Sequence, residues 1–447
     1  MSADDTIFAL SSGAGMAGVA VIRVSGPQAG DALSVLAGRL PPARKAVAAQ
    51  LRNPADAELI DSALVLWMPG PGSFTGEDVA EFQVHGSRAV VADLLAVLGG
   101  MAGLRAAEAG EFSRRAFRNG KMDLVEVEGL GDLIQARTAA QKRQALEHMT
   151  GLASRDYERW RSMLIECLAR VEASVDFSEE EDIAPSALAG VRERLILLRD
   201  EINAAIADAG RGRAIREGVK VVFAGAPNTG KSSLLNRIAR REAAIVSPIP
   251  GTTRDVIEVM LDLGGIPVIL TDTAGLRSGI ADPIELLGIE RAQAEMRGAD
   301  LTIWVTAPDI ADEGVRPGFD SDTIRVLNKA DWVPNSSHNR NESPEGRYYL
   351  VSALTGRGVS ALLSAIETQV RERFGRGEAP VAVRARHLHA LERCARQLDA
   401  AIDSPTEQIE IVAESLRAAA TELGRVTGRI DVEDLLDSVF RDFCIGK

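Results

Sequence analysis

The chain is poor in cysteine, with three in 447 residues, at positions 167, 394 and 444. Three scattered thiols form neither a disulfide framework nor a metal-ligand spacing. A reducing compartment, the cytosol, is therefore expected. Histidine is as scarce, with five residues and none at zinc spacing. His387 and His389 stand two apart, so on a helix they point to different faces. No run approaches the roughly 18 unbroken apolar residues that a membrane span needs. The acidic start, Met1-Ser2-Ala3-Asp4-Asp5, argues against a secretory leader. An excess of positive charge is missing too. The formal net charge is −13, which argues against attraction of the whole surface to RNA or DNA. Two basic clusters, Arg114/Arg115/Arg118/Lys121 and Arg384/Arg386/Arg393/Arg396, read as solvated helix faces. The carboxylate run Glu179–Asp182 reads as an exposed loop between helices rather than a metal site.

What is present is an ordinary globular composition, 46% hydrophobic and 26% charged. The length implies roughly two to four domains. The most informative stretch is Gly225–Ser232, G-A-P-N-T-G-K-S. The apolar run Val219–Ala224 before it reads as a buried strand, and Ser233–Ile238 after it as a helix start. A glycine turn with a chance lysine does not require that context; a phosphate-binding loop does. Gly225 and Gly230 let the backbone turn its N–H groups inward toward phosphate oxygens. The helix N-terminus adds its positive dipole end. Lys231 can reach the β- and γ-phosphates, and the Ser232 hydroxyl can ligate Mg²⁺. Asn228, Thr229 and Ser233 complete the phosphate segment.

Later segments identify the base. Asp272-Thr273-Ala274-Gly275 follows the apolar run Ile266–Leu270, so its carboxylate stands at a strand end, where it can hold a Mg²⁺ water. The Gly275 N–H can meet the γ-phosphate. Asn328-Lys329-Ala330-Asp331 follows Ile324–Leu327. A carboxylate at Asp331 accepts two hydrogen bonds from the N1–H and N2–H₂ edge of guanine, and adenine offers no such donor pair. Ser352-Ala353-Leu354 follows Tyr348–Val351 and reads as the last guanine loop. Between these, Gly251-Thr252-Thr253-Arg254-Asp255 offers threonines to Mg²⁺ and the γ-phosphate, with Thr253 the expected Mg²⁺ ligand. Each motif is weak alone; five in order are strong. Residues 218–374 therefore resemble a Ras-like GTPase domain, a doubly wound sheet with its ligand at the carboxyl ends of the strands.

This domain is flanked on both sides. Residues 1–118 alternate short β-like runs (Val19–Val24, Ala63–Met68, Val79–Val84) with short helical patterns, an α+β domain. From about Asp123 the periodicity is helical: Leu124, Val127, Leu130, Leu133 and Ile134 recur at helical spacing, as do Met163, Leu164, Cys167, Leu168 and Val171, and then Leu195, Leu197, Leu198 and Ile202. After residue 374 helices resume, with Leu388, Leu391, Ala395, Leu398 and Ile402. Residues 119–217 and 375–447 each have little to bury a stripe against. The expected solution is one discontinuous helical bundle with the GTPase domain inserted between its halves. Gly210-Arg211-Gly212 and Gly375-Arg376-Gly377 read as hinges, and Cys167 and Cys394 as core.

The chain ends Cys444-Ile445-Gly446-Lys447. Gly446 and Lys447 break the prenylation pattern. The end reads either as a frayed terminus or as a reactive thiol with a site-closing lysine. At this point the whole chain resembles the tRNA-modification GTPase family MnmE, also called TrmE. The resemblance rests on Gly18–Gly26, Ser73-Phe74-Thr75-Gly76-Glu77-Asp78, Gly110-Glu111-Phe112-Ser113, the inserted GTPase motifs, Gly288-Ile289-Glu290-Arg291-Ala292, and the terminal C-I-G-K.

The resemblance implies a homodimer formed through an N-terminal, tetrahydrofolate-binding-like α+β domain. It implies an FAD-containing partner, MnmG (GidA), in a heterotetramer or larger assembly, and tRNA as substrate. The implied reaction adds an aminomethyl-type group, such as carboxymethylaminomethyl, to C5 of the wobble uridine. The one-carbon unit comes from 5,10-methylenetetrahydrofolate, or a 5-formyl analogue occupies its site. Arg23, Glu81, Lys121 and Lys447 carry over as folate contacts, and Cys444 as a candidate catalytic thiol. The family is potassium-activated: Asn228 carries over as a K⁺ ligand, with Ser247, Ile249 and Thr252 supplying further oxygens. Pro248 and Pro250 depart from the expected loop by stiffening it. Leu276 stands where Ras-like enzymes place a water-orienting glutamine. The family uses a later glutamate, here Glu285, with Asp282 the alternative. A GTP-switched ribosome-assembly or RNA-binding factor shares the GTPase motifs. It usually carries a terminal RNA-binding domain or a second GTPase unit, and neither is found here.

Overall fold

The computed structural model describes residues 5–176, 184–241, 258–272, 298–310, 323–332, 342–343, 346–375, 377, 379–405, 408–430, 436, 439–441, 443 and 445–446. Contacts divide the chain into two compact units, each assembled from segments distant in sequence. One comprises Met1–Gly131, His148–Ile196 and Arg393–Lys447; the other comprises Asp132–Glu147 and Leu197–Glu392.

In the first unit, six strands form one sheet: β1 (Thr6–Leu10), β2 (Ala17–Ser25), β3 (Val47–Arg52), β4 (Leu59–Met68), β5 (Val79–Gly86) and β6 (Leu104–Ala106). Their order is β3-β4-β5-β2-β1-β6, antiparallel except for the β1/β6 pair. The alternation of β2 and β5 sorts the two faces. Ile22, Val24, Ala80 and Phe82 turn inward and pack with Leu33 and Leu36 of α1 (Ala29–Ala37) and Leu94 and Leu98 of α2 (Arg88–Gly99). Complete burial of a Phe or Leu side chain stabilises by about 1.5–3 kcal/mol, so this layer holds the sheet. The period of two sends Arg23 and Glu81 to the opposite face. There Ile7, Ala9, Ala107 and Phe112 form a smaller cluster, with Phe112 supplied by α3 (Glu111–Arg118).

Helices complete this unit. On α6 (Leu152–Asp176) the stripe Tyr157, Trp160, Leu164, Cys167 and Val171 is buried where it packs along α11 (Ile409–Thr427), which buries Leu416, Ala419, Leu423 and Val426. The start of α4 (Leu124–Gln135) buries Leu124 and Val127 against Leu436 and Phe440 near the chain end. Cys394, on α10 (Ala385–Asp403), is fully buried, as is Cys167. Burial pushes the Cys394 thiol up to about 12 and raises that of Cys167. Both are protonated core groups at neutral pH rather than nucleophiles.

In the second unit the strands β7 (Val219–Ala224), β8 (Glu258–Leu263), β9 (Ile266–Asp272), β10 (Leu301–Thr306), β11 (Thr323–Leu327) and β12 (Tyr349–Leu350) run in the order β12-β11-β10-β7-β9-β8. Only the edge pair β8/β9 is antiparallel. The central strands β7, β9 and β10 are largely apolar on both faces, as a helix-covered parallel sheet requires, whereas the edge strand β8 alternates buried and exposed residues. Val221, Phe223, Val268, Leu270, Ile303 and Val305 lie in one core with Leu234, Leu235 and Ile238 of α8 (Lys231–Arg241) and Leu362 and Ile366 of α9 (Val359–Phe374).

One expectation fails. Gly210-Arg211-Gly212 is no hinge: it lies inside α7 (Ala184–Glu217), which is helical throughout. A Cβ on Gly212 would stand 2.7 Å from the Ala382 carbonyl oxygen and 2.9 Å from Pro380. The glycine serves a close approach of the returning chain, which sequence proximity cannot reveal.

Candidate functional site

Because β7, β9, β10, β11 and β12 are parallel, their carboxyl ends lie along one edge of the sheet, and every described GTPase motif begins there. The strand order reverses beside β7, the topological switch point where ligands of such sheets bind. Gly225 leaves β7 at φ +136°, and a Cβ there would stand 2.1 Å from the Val305 carbonyl oxygen of β10. Only glycine lets the loop cross the neighbouring strand so closely. Asn228 takes φ +63° and exposes its side chain. Gly230 takes φ +89°, with its Cβ position 2.3 Å from Asn328 Nδ2.

Lys231 opens α8 and is 5% exposed. Its Nζ donates to the carbonyls of Gly225 and Ala226, 2.9 Å each, so the ammonium lies inside the curl of the loop. Ser232 Oγ donates to Asp272 Oδ2 at the end of β9, and Asp272 is 2% exposed. The Ser232 hydroxyl is a hard oxygen of the kind that Mg²⁺ takes, and the buried Asp272 carboxylate stands directly beside it.

The base end is similarly built. Asn328 Nδ2 donates to the Thr229 carbonyl, 2.9 Å, and Asn328 Oδ1 accepts from the Ala353 N–H, 3.1 Å. The motif asparagine thus bridges the phosphate loop and the last loop. Asp331 Oδ1 accepts from Ser352 Oγ at 2.5 Å. Lys329, at φ +58°, pairs with Asp309 at 2.6 Å and lies 5.2 Å from the Trp332 ring. Leu354 is exposed. Ser233, on α8, is exposed as well. Ser247, Ile249, Thr252, Thr253, Thr273, Ala274, Gly275 and Glu285 lie outside the described residues.

A second cluster occupies the open face of the N-terminal sheet. Arg23 and Glu81 are register partners on β2 and β5 and pair at 2.9 Å. The Arg23 guanidinium lies 5.3 Å from the Phe74 ring and 5.8 Å from that of Phe112. Lys121 is exposed, donates to the Pro71 carbonyl at 3.0 Å, and lies against Gly76, so residues 71–76 connect it with Phe74. The chain end docks on the same unit. Ile445 forms an antiparallel bridge with Ala109, and the Gly446 carbonyl accepts from Ser11 Oγ at 3.0 Å. Gly446 takes φ +95°, with a Cβ position 2.2 Å from the Leu10 carbonyl oxygen, so glycine is required there too. The frayed-terminus reading fails for Ile445 and Gly446. Cys444 and Lys447, which bracket them, lie outside the described residues.

Sequence reading missed the support beneath this cluster. Arg115, read as part of a solvated face, is 9% exposed and pairs with Glu77 and Glu111 at 3.1 Å each. Arg105 bonds Glu111 at 2.6 Å, and Ser25 links Glu77 to Thr75. Burial alone would raise the Glu111 carboxyl; bonds from Arg105, the Glu108 N–H and Arg115 outweigh it and hold it below its usual range. Removing one member of such a network costs about 3–5 kcal/mol, because a buried charge is left unpaired. An acidic residue four before a cation, Glu111 to Arg115, was the only local signal. Of the other basic cluster, Arg384 pairs with Asp132 at 2.7 Å and Arg393 with Glu422 at 2.7 Å, so neither is merely solvated.

Among the described residues no helix is long and apolar enough to cross a membrane, and no group of His, Cys, Asp and Glu gathers to hold a metal. Residues 6–121 match the family model of the GTP-binding protein TrmE N-terminus, and residues 124–444 that of the MnmE helical domain. The tRNA modification GTPase MnmE of Parvibaculum lavamentivorans is 50% identical, over 99% of this chain and 100% of its own length. That of Rhodospirillum rubrum is 47% identical, over 99% of both. The two family models and near-complete alignment at this identity place the chain in the MnmE family of tRNA modification GTPases.

Proposed function

We propose that this chain is a potassium-activated GTP hydrolase acting in modification of the tRNA wobble uridine. The observation that supports it best is the shared sheet edge, where Lys231, the Ser232–Asp272 pair and the Asn328–Asp331–Ser352 group converge. Lys231 draws charge from the β- and γ-phosphates as the bond between them breaks. Ser232 and Thr253 would hold Mg²⁺, which would supply positive charge to the phosphates, and Asp272, bonded to Ser232, would support that site. Asp331 and the Ala353 loop select guanine. Glu285 orients the attacking water in place of the missing glutamine, and Thr252, Thr273, Ala274 and Gly275 line the γ-phosphate side.

The exposed Asn228, held in the left-handed region, offers its side-chain oxygen to K⁺, with Ser247, Ile249 and Thr252 adding oxygens. The cation supplies positive charge that Ras-like proteins often take from an arginine. Asn228→Ala is expected to abolish the difference in phosphate release between potassium and sodium buffers, with GDP binding retained. Equal potassium stimulation in the variant would remove Asn228 from the site.

On the N-terminal sheet, the same reading gives tetrahydrofolate as the one-carbon source. Arg23 and Glu81 form one hydrogen-bonded unit, so they address one end of an elongated ligand rather than its two ends. A cation beside a carboxylate suits the donor and acceptor edge of a pterin, which leaves Lys121 and Lys447 for the glutamate carboxylates. Cys444 is retained as the candidate thiol. The four-part organisation (1–118, 119–217, 218–374, 375–447), a homodimer through the N-terminal domain, assembly with the FAD-containing MnmG partner and a cytoplasmic location belong to this reading.

Nucleoside analysis of bulk tRNA from a strain lacking the gene tests it. Loss of the C5-modified wobble uridine, restored by the wild-type chain but not by Lys231→Ala, is expected. Unchanged modification in the deletion strain would overturn the proposal.

A further inference from the structure

Arg237 lies on α8, six residues after Lys231, and no GTPase motif includes it. Its guanidinium reaches across 116 residues of sequence to the last guanine loop. Nε donates to the Ala353 carbonyl at 2.8 Å, and Nη2 donates to the Leu354 carbonyl. Leu354 itself is 74% exposed, so its side chain does little to hold the loop. The Ala353 N–H donates to Asn328 Oδ1, and Asn328 Nδ2 donates to Thr229 of the phosphate loop. Thr229 leads into α8, which carries Arg237. The four groups close a ring: phosphate loop, asparagine, base loop, arginine, and back through α8. Ser352, next to Ala353, holds the Asp331 carboxylate.

We infer that Arg237 is a positioning residue that ties the guanine-reading loop to the phosphate-binding helix, and so sets how sharply this site distinguishes guanine from related bases. This inference rests on the proposed guanine-nucleotide reading. A planar fork bonding two consecutive carbonyls fixes a peptide segment in both place and orientation, which a flexible ammonium cannot. With the fork gone, Ala353 keeps its bond to Asn328, but the loop has lost both anchors to α8. Ser352 then holds the Asp331 carboxylate less firmly in the plane of the base. The recognition most sensitive to that plane is the second hydrogen bond, to the guanine 2-amino group. Inosine nucleotides lack this group and serve as the probe.

The test measures affinities of GDP and IDP by calorimetry for the full chain, Arg237→Met and Arg237→Lys. Thermal melting checks that each variant is folded. For Arg237→Met, GDP affinity is expected to fall about tenfold, as for the loss of one or two hydrogen bonds. IDP affinity should fall less, so the ratio of GDP to IDP affinity shrinks several-fold. Arg237→Lys keeps the charge but not the fork and should resemble Arg237→Met. A merely structural role lowers the folded fraction and both affinities together. An unchanged ratio in both folded variants therefore overturns the inference, as does full retention of discrimination by Arg237→Lys. A wild-type chain that binds neither GDP nor IDP overturns the nucleotide reading itself.

Discussion

Replacing Lys231 with alanine is expected to reduce GTP turnover by about 10²–10³-fold, the scale of losing one aimed electrostatic group at a transition state. The ammonium sits inside the loop, bonded to the Gly225 and Ala226 carbonyls, and is almost fully buried. Those two bonds hold it inside the curl of the loop, where the proposed nucleotide would place its phosphate oxygens. Two carbonyls are weak partners for a buried cation, and an anionic triphosphate is a far stronger one. The variant therefore loses more for the triphosphate than for the diphosphate: GTP affinity should drop further than GDP affinity. Phosphate release at saturating and subsaturating GTP separates the two effects, and a melting curve shows whether the emptied loop still folds. Turnover within about threefold of wild type in a folded variant would exclude Lys231 as the phosphate clamp.

The contrast between Lys231 and Arg237 shows which parts of this molecule are legible in the sequence. Strands β7, β9 and β11 follow from short apolar runs bounded by turn residues, and the Val219–Ala224 expectation matches β7 residue for residue. The motifs after them are contiguous, so spacing alone locates Lys231, Asp272, Asn328 and Asp331. Parallel strands then place these motif starts on one edge without further information. The α+β character of the N-terminal region and the helical stripes of α6 and α10 were visible for the same reason, since periodicity is local. What escaped is built from contacts between distant segments. Arg237 meets Ala353, Arg115 meets Glu77, and Gly212 meets Ala382; no local pattern encodes any of these pairs. Charge runs misled because a cation on a helix looks the same in sequence whether water or a buried carboxylate faces it. The Gly446 turn against Leu10 belongs to the same class. A terminal glycine suggests fraying, whereas here its missing Cβ permits docking.

Converting Asp331 to asparagine is expected to exchange the base this site accepts. Guanine presents two donors, N1–H and the 2-amino group, and a carboxylate accepts both. An asparagine amide has one acceptor and one donor group, so its NH₂ would face the 2-amino group with no acceptor between them. Xanthine keeps N1–H but carries a carbonyl at position 2, which matches the amide on both atoms. The structure fixes the supporting hydroxyl. Ser352 Oγ accepts from the Thr355 N–H at 3.1 Å, which leaves its own proton for Asp331. Ser352 is fully buried and cannot turn to water instead. In Asp331→Asn that proton selects the amide oxygen as its partner and so fixes the orientation of the amide. An unmatched buried donor costs about 1–3 kcal/mol, and here one hydrogen bond is lost as well. GTP affinity should therefore fall about a hundredfold, while XTP affinity rises above that for GTP. Turnover should follow the same exchange: XTP hydrolysis by the variant approaches the wild-type rate with GTP, because the phosphate end is untouched. A variant that still prefers GTP would show that the base is read by a group other than Asp331.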